Sequence, residues 1–87
     1  MLLKNKKFVI SAAGDGIGFA ISKLIIENGG IVYLTDIDQL KINKIKKNKK
    51  YINKIFATQL DANNHKAIKE YFYSDSFYEY YPLNQRQ

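Results

Sequence analysis

Residues 8–18 read Phe-Val-Ile-Ser-Ala-Ala-Gly-Asp-Gly-Ile-Gly, and this stretch decides the fold. Its first three residues form the short apolar, β-branched run that is typical of a buried strand. Small residues and glycines follow at once, which predicts a tight turn. Apolar residues then recur at helical spacing until Gly29-Gly30, a pair that favours a left-handed stop. The residues that define this helical pattern are Ile17, Ala20, Ile21, Leu24 and Ile25.

The alternation of strand and helix continues along the chain. Residues 31–35 and 55–60 have the composition of two further strands, which end at Asp36 and Asp61. A lysine-rich amphipathic helix over residues 39 to about 50 separates them. Parallel strands need connections long enough to hold a helix, and those crossovers are right-handed. The order β-α-β-α-β-α therefore predicts an α/β, Rossmann-like half with a three-stranded parallel sheet of strand order 3-2-1.

A last helix, capped by Asn63 or Asn64, follows the third strand. The pattern then changes, because seven of the twelve aromatic residues fall between residues 71 and 81 and no strand or helix period accompanies them. We therefore predict a Rossmann nucleotide-binding domain at residues 1–73 and an irregular, aromatic-rich tail at residues 74–87.

Composition limits the function classes. A chain of 87 residues with no cysteine excludes a multidomain enzyme, a disulfide scaffold and a thiol nucleophile. The apolar runs are short and interrupted by charges, so we expect a soluble, cytoplasmic protein without a membrane partner. The net charge is +6, and seven lysines without an acid lie between residues 39 and 54. Because 13 of the 14 basic residues are lysine, we favour a solvated helix face over a nucleic-acid site.

The glycine-rich turn at residues 11–18 lies where an α/β sheet binds a nucleotide. Glycines let a ligand approach the backbone, and the free amides of the first helical turn favour an anionic pyrophosphate. Gly18 falls within that turn, where the absence of a side chain allows the helix to pack closely on the strand. A glycine turn without a ligand is the alternative interpretation.

Asp36 is the second element of the predicted site. It follows Gly18 by 18 residues and closes the second strand, where a carboxylate can accept hydrogen bonds from ribose hydroxyls. Its charge would repel a 2′-phosphate, and Asp15 in the turn adds no cation, so NAD is favoured over NADP. An ordinary turn or cap aspartate is the alternative, with Asp38 as a competing cap for the next helix.

These residues resemble the short-chain dehydrogenase/reductase family. The family's turn, Thr-Gly-x-x-x-Gly-x-Gly, matches residues 11–18 with Ser for Thr and Ala for the first Gly. The similarity continues through residues 28–36 and Leu60-Asp61, and it covers about residues 6–73. The resemblance implies an oxidoreductase that binds a dinucleotide, with Asp61 beside the adenine. The predicted cofactor-binding residues are Ser11, Ala12, Gly14, Asp15, Gly16, Ile17, Gly18, Asp36, Ile37, Asp61 and Ala62.

The family's catalytic residues have no counterpart in this sequence. The resemblance implies a tyrosine with a lysine four residues later and a serine, but no tyrosine of this chain has such a lysine. His65 is the only histidine, so we assign no metal site. A fourth strand does not follow either. We therefore expect a truncated, amino-terminal fragment that lacks activity alone, with strand one at a sheet edge and available for self-association.

Two other functions fit parts of the sequence. Gly14-Asp15-Gly16-Ile17-Gly18 also matches the Gly-x-Gly-x-Gly turn of a class I methyltransferase that binds S-adenosylmethionine, although Ala12 stands where that class has an acid. A basic module that binds nucleic acid through Lys41 to Lys54 and the aromatic tail is the second alternative.

Overall fold

The computed structural model describes residues 2–73, and strands and helices alternate along them. The strands are β1 (Lys7–Ile10), β2 (Ile31–Asp36) and β3 (Ile55–Gln59), and the helices are α1 (Gly16–Glu27), α2 (Gln39–Lys47) and α3 (His65–Phe72). The strands form one parallel sheet in the order β1-β2-β3. The α/β class and the strand order predicted from the sequence are therefore confirmed. The tail predicted at residues 74–87 lies outside the described residues.

The core lies on the face of the sheet that α1 and α2 cover. Val32 and Leu34 of the central strand are fully buried there. They belong to the same apolar cluster as Ile25 of α1 and Ile42 of α2. Alternate residues of a strand point to opposite faces, and Tyr33, on the other face of β2, is buried as well.

The opposite face of the sheet is aromatic. Tyr33 is aligned with Val9 on one side and with Phe56 on the other. The Tyr33 and Phe56 rings stack with centroids 5.4 Å apart and an interplanar angle of 26°. Burial raises the pKa of Tyr71, on α3, to about 12, and the nearby Tyr33 phenol acts in the same direction. The Tyr71 phenol of α3 therefore lies near Tyr33, on the face opposite to the core cluster.

β1 differs from the buried strand that its sequence predicts. Val9 is 46% exposed, and Phe8 and Ile10 are only partly buried. The reason is that, among residues 2–73, β1 pairs with β2 on one edge and has no strand on its other edge.

The apolar residues whose spacing predicts α1 are mostly exposed in the structure. Of the five, only Ile25 is buried, and Ile17, Ala20, Ile21 and Leu24 are exposed. The helix instead buries Ser22 beside Ile25. Apolar periodicity identified the helix correctly, but α1 carries more apolar surface than one sheet face can cover.

Local signals set the helix ends. Gly29 adopts φ +89°, and the Gly30 amide donates to the Ile25 carbonyl at 3.0 Å, which ends α1 as the glycine pair predicts.

Asp38 caps α2 by accepting a hydrogen bond from the Leu40 amide at 2.9 Å. α2 ends at Lys47, before the predicted residue 50, because the extended Asn48 starts a separate 3₁₀ turn at Lys49–Tyr51.

The last helix follows one of the two predicted caps. Asn64 accepts a hydrogen bond from the Ala67 amide at 3.0 Å, so Asn64 is the N-cap of α3. Within residues 2–73, no helix has the length and the hydropathy needed to cross a bilayer.

Candidate nucleotide-binding site

The turn between β1 and α1 is tied to the end of β2. The Ala13 amide donates to the Thr35 carbonyl at 3.0 Å, and Ala13 is fully buried. Ala12, which stands where the resembled family has its first glycine, adopts φ +51°. An L-residue pays a steric cost in this left-handed region, so Ala12 is held there by the contacts around it.

Gly16 opens the turn to a ligand. It adopts φ +62°, and a Cβ built on it would meet no atom within 4 Å. The amides of Gly16, Ile17 and Gly18 begin α1, where helix geometry leaves the first donors without carbonyl partners inside the helix. Open space beside free amides at the positive end of a helix suits an anionic group.

Gly18 brings α1 close to the strand. A Cβ at this position would lie 2.9 Å from Ala13 Cα and 3.0 Å from Ala13 Cβ. Ser22, one helical turn later, is fully buried and donates its hydroxyl to the Gly18 carbonyl at 2.9 Å. Gly18 therefore permits the close packing of α1 on the end of β1 that the sequence predicts. The buried Ser22 hydroxyl lies beside this contact and binds the Gly18 carbonyl.

Asp36 joins the turn to β2. Its Oδ2 accepts from the Gly14 amide at 2.8 Å, and its Oδ1 accepts from the Asp38 amide at 2.9 Å. The Asp38 amide is the largest cause of the lowered pKa of Asp36. The Gly14 amide and the charge of Lys41 lower this pKa further, whereas burial opposes them. Asp36 is therefore an anion at neutral pH, directly beneath the glycine turn.

Asp15 does not cap the helix that it precedes. Its backbone is extended and its side chain accepts no hydrogen bond from the first turn of α1. Its carboxylate instead lies 3.0 Å from Lys41 Nζ, and this contact raises the pKa of Lys41. The α1 amides are thus left without a side-chain cap, while α2 is linked to the turn.

Lys41 is a site residue that the sequence analysis missed. The stem of Lys41 packs over the turn, since a Cβ at Gly14 would lie 2.9 Å from Lys41 Cβ. Asp15 and Lys41 are 26 residues apart in sequence, and no local spacing announces the pair. Ser22 was missed as well, although a serine within an apolar helical stripe is a signal of a buried hydroxyl.

The remaining predicted residues lie at the neighbouring strand ends. The Leu60 amide donates to the Asp36 carbonyl at 2.9 Å, which brings Asp61 next to the end of β2. The Asp61 carboxylate accepts from the Asn63 amide at 2.8 Å. Ile37 is 61% exposed at the start of the β2–α2 connection. Ser11, Ala12 and Ala62 are also exposed.

The structure therefore brings Gly14 and Asp36 into direct contact and places Asp61 at the adjacent strand end. Among residues 2–73, no cluster of three or more His, Cys, Asp or Glu side chains could hold a metal ion. A glycine turn, a helix start and an acid at the carboxyl edge of a parallel sheet define a Rossmann-type nucleotide-binding half.

No family model matches the chain, and no curated protein matches it. Several solved structures match the chain. A 4-hydroxyisoleucine dehydrogenase complexed with NADH is 29% identical with a TM-score of 0.66, over 78% of this chain and 27% of that one. The 2-keto-3-deoxy-D-gluconate dehydrogenase of Streptococcus agalactiae is 28% identical with a TM-score of 0.74, over 88% of this chain and 29% of that one.

A third structure, a short-chain dehydrogenase/reductase from Burkholderia phymatum in complex with NAD, shares the fold with a TM-score of 0.75. It is 20% identical, over 91% of this chain and 28% of that one. The chain spans less than a third of the length of these three structures. The resemblance to short-chain dehydrogenase/reductases is confirmed, and the chain is similar to their amino-terminal part.

Proposed function

We propose that the chain binds NAD(H) as the nucleotide-binding portion of a short-chain dehydrogenase/reductase-like oxidoreductase. The observation that carries this proposal is the 2.8 Å hydrogen bond from the Gly14 amide to Asp36. It joins the phosphate-binding turn and the ribose-binding acid into one unit. The dehydrogenase structures described above, two of which are complexes with NADH or NAD, support the proposal.

The pyrophosphate is proposed to bind at the start of α1. Asp15, Gly16 and Ile17 flank it, and the amides of the first turn donate to its oxygens. Gly18 keeps that turn close to the sheet. Because Asp15 is drawn to Lys41 at 3.0 Å, its carboxylate does not compete with the phosphate for those amides.

The adenosine is proposed to bind over the ends of β2 and β3. A carboxylate has about four lone-pair sites, so Asp36 keeps acceptor capacity for ribose hydroxyls after binding two backbone amides. Its negative charge disfavours a 2′-phosphate, which supports NAD over NADP. Ile37, Asp61 and Ala62 border the adenine, while Ser11 and Ala12 lie at the β1 end of the turn.

The proposal assigns binding to residues 1–73 and no catalytic residue to this chain. When bound, the nicotinamide would supply hydride chemistry. The family's serine, tyrosine and lysine have no counterpart in the sequence, so the chain is proposed to bind the dinucleotide without oxidoreductase activity of its own.

Titration calorimetry with NAD, NADP and S-adenosylmethionine tests the binding. We expect heat from NAD, a weaker response to NADP and none from S-adenosylmethionine. Gly16→Ala should weaken NAD binding by about tenfold or more, because the new Cβ meets no protein atom within 4 Å and fills only the space in front of the turn.

Gly29→Ala is the matched control for this variant. Gly29 lies at the other end of α1 and also has a positive φ, +89°, so alanine is strained at both positions and only Gly16→Ala alters the site. The proposal is wrong if the folded wild-type chain gives no heat with NAD, or if both variants lose binding equally.

A further inference from the structure

Gln59, the last residue of β3, reaches from its strand to the connection between β2 and α2. It is aligned with Asp36 of β2, and Ile55 and Ala57 earlier in β3 are buried on the core side of the sheet. Alternate residues of a strand share a face, so Gln59 lies on this same side, where the chain leaves β2 for α2. The Gln59 side chain is therefore placed within reach of that connection.

The contact is a hydrogen bond to the backbone of the connection. Gln59 Nε2 donates to the Ile37 carbonyl at 3.0 Å. The carbonyl of Ile37 and the amide of Asp38 belong to one planar peptide group, the connection peptide, which turns as a unit. The amide end of the connection peptide donates to Asp36 Oδ1 at 2.9 Å. The connection peptide is therefore held at both ends, by Gln59 at its carbonyl and by Asp36 at its amide.

The connection peptide links Gln59 to the acid of the candidate site. The Asp38 amide is the largest cause of the lowered pKa of Asp36, so this hydrogen bond matters to the carboxylate. Asp36 Oδ2 is bound by the Gly14 amide at 2.8 Å, and the two amides together fix the rotation of the carboxylate. A hydrogen bond to the carbonyl of a peptide polarises its amide and strengthens the bond that the amide donates. The Gln59 side chain therefore acts on Asp36 through the connection peptide.

We propose that Gln59 is a positioning residue of the nucleotide-binding site: by holding the connection peptide, it fixes the Asp36 carboxylate in the orientation that binds the ribose hydroxyls. This role rests on the proposed function, in which Asp36 accepts hydrogen bonds from the ribose. The lone pairs that the Gly14 and Asp38 amides leave free must point at the ribose, and rotation of the carboxylate misdirects them. An acceptor that is already oriented loses less conformational freedom when the ligand binds.

Gln39 offers a matched control. Its Nε2 donates to Asn43 Oδ1 at 2.8 Å, in an exposed contact within α2. The bond that Gln59 makes to Ile37 is exposed as well. Gln39→Leu therefore removes the same side-chain amide and the same kind of hydrogen bond as Gln59→Leu, but it leaves the connection peptide bound to Gln59. Both glutamines are exposed, so both variants should keep the wild-type fold.

Titration of the carboxyl carbons by NMR in the ligand-free chain tests the link to Asp36. Gln59→Leu should raise the pKa of Asp36 toward its ordinary value of 3.8, because the connection peptide can then turn and the Asp38 amide binds Oδ1 less well. Gln39→Leu should leave the pKa of Asp36 unchanged. The charge of Lys41, which also lowers this pKa, is the same in all three proteins, so a change in the pKa reports the hydrogen bonds.

Calorimetry with NAD and NADP tests the link to the ligand. Gln59→Leu should weaken NAD binding about threefold, the size expected from the loss of one hydrogen bond between protein groups. It should change NADP binding by less than about twofold, because the 2′-phosphate replaces a ribose hydroxyl that Asp36 is proposed to bind. A direct contact between Gln59 and the adenine, which both dinucleotides carry, would instead weaken the binding of both equally.

Three results would overturn the positioning role: an unchanged Asp36 pKa in Gln59→Leu, an equal change in Gln39→Leu, or an equal loss of affinity for NAD and NADP. The two measurements also separate this role from the proposed function. If the wild-type chain gives no heat with NAD while the Asp36 pKa rises only in Gln59→Leu, the proposed function is wrong and Gln59 still positions Asp36. If NAD binds wild type and Gln59→Leu with equal affinity, the proposed function stands and the positioning role is wrong.

Discussion

Replacing Ala12 with glycine should stabilise the fold, against the usual effect of a glycine substitution. Ala12 has φ +51°, a conformation that costs an L-residue about 1–2 kcal/mol. Glycine removes this cost but adds about 0.4–1 kcal/mol of conformational entropy to the unfolded chain. The net gain in unfolding free energy is about 0.5–1 kcal/mol, or several degrees in Tm for a domain of this size.

Urea unfolding followed by circular dichroism measures this difference, with a shared m-value as the check that only stability has changed. Ala20→Gly is the matched control, because Ala20 is exposed in the interior of α1, where glycine should cost about 0.5–1 kcal/mol. Opposite signs for the two variants support the left-handed conformation of Ala12. If Ala12→Gly lowers the midpoint as Ala20→Gly does, the reasoning from the turn geometry is refuted.

Three further predictions concern packing and charge. Gly18→Ala should lower the urea midpoint, because its Cβ would lie 2.9 Å from Ala13 Cα; an unchanged midpoint would contradict that contact. The pKa of Asp36 is lowered, so the Asp36 carboxylate stabilises the fold at pH values above 3.8, the ordinary pKa of an aspartate. This contribution should disappear as the pH falls below 3.8. Asp36→Asn should therefore flatten the acidic part of the stability profile measured by urea unfolding. The pKa of Tyr71 is raised to about 12, so the neutral Tyr71 phenol contributes fully to folding stability below pH 10, and this contribution is lost as the pH rises toward 12. Tyr71→Phe should reduce the alkaline loss of stability measured by urea unfolding.

The sequence predicted the fold well because its strongest signals are local. The β-branched runs, the Gly29-Gly30 stop and the asparagine before α3 each act within a few residues, and each appears in the structure. Strand order followed from topology rules, since short right-handed crossovers allow few arrangements. Burial was predicted less well. A run of apolar residues does not show which of them has a neighbour in the fold, and Val9, which lies in the run predicted to be a buried strand, is 46% exposed.

The candidate site was predictable to the same extent. Glycine spacing and an acid at a strand end identified Gly14 and Asp36, and the structure joins them by a hydrogen bond of 2.8 Å. Lys41 was not predictable, because its contact with Asp15 depends on how α2 lies against the turn. Tertiary packing decides such pairs, and it leaves no local pattern in the sequence.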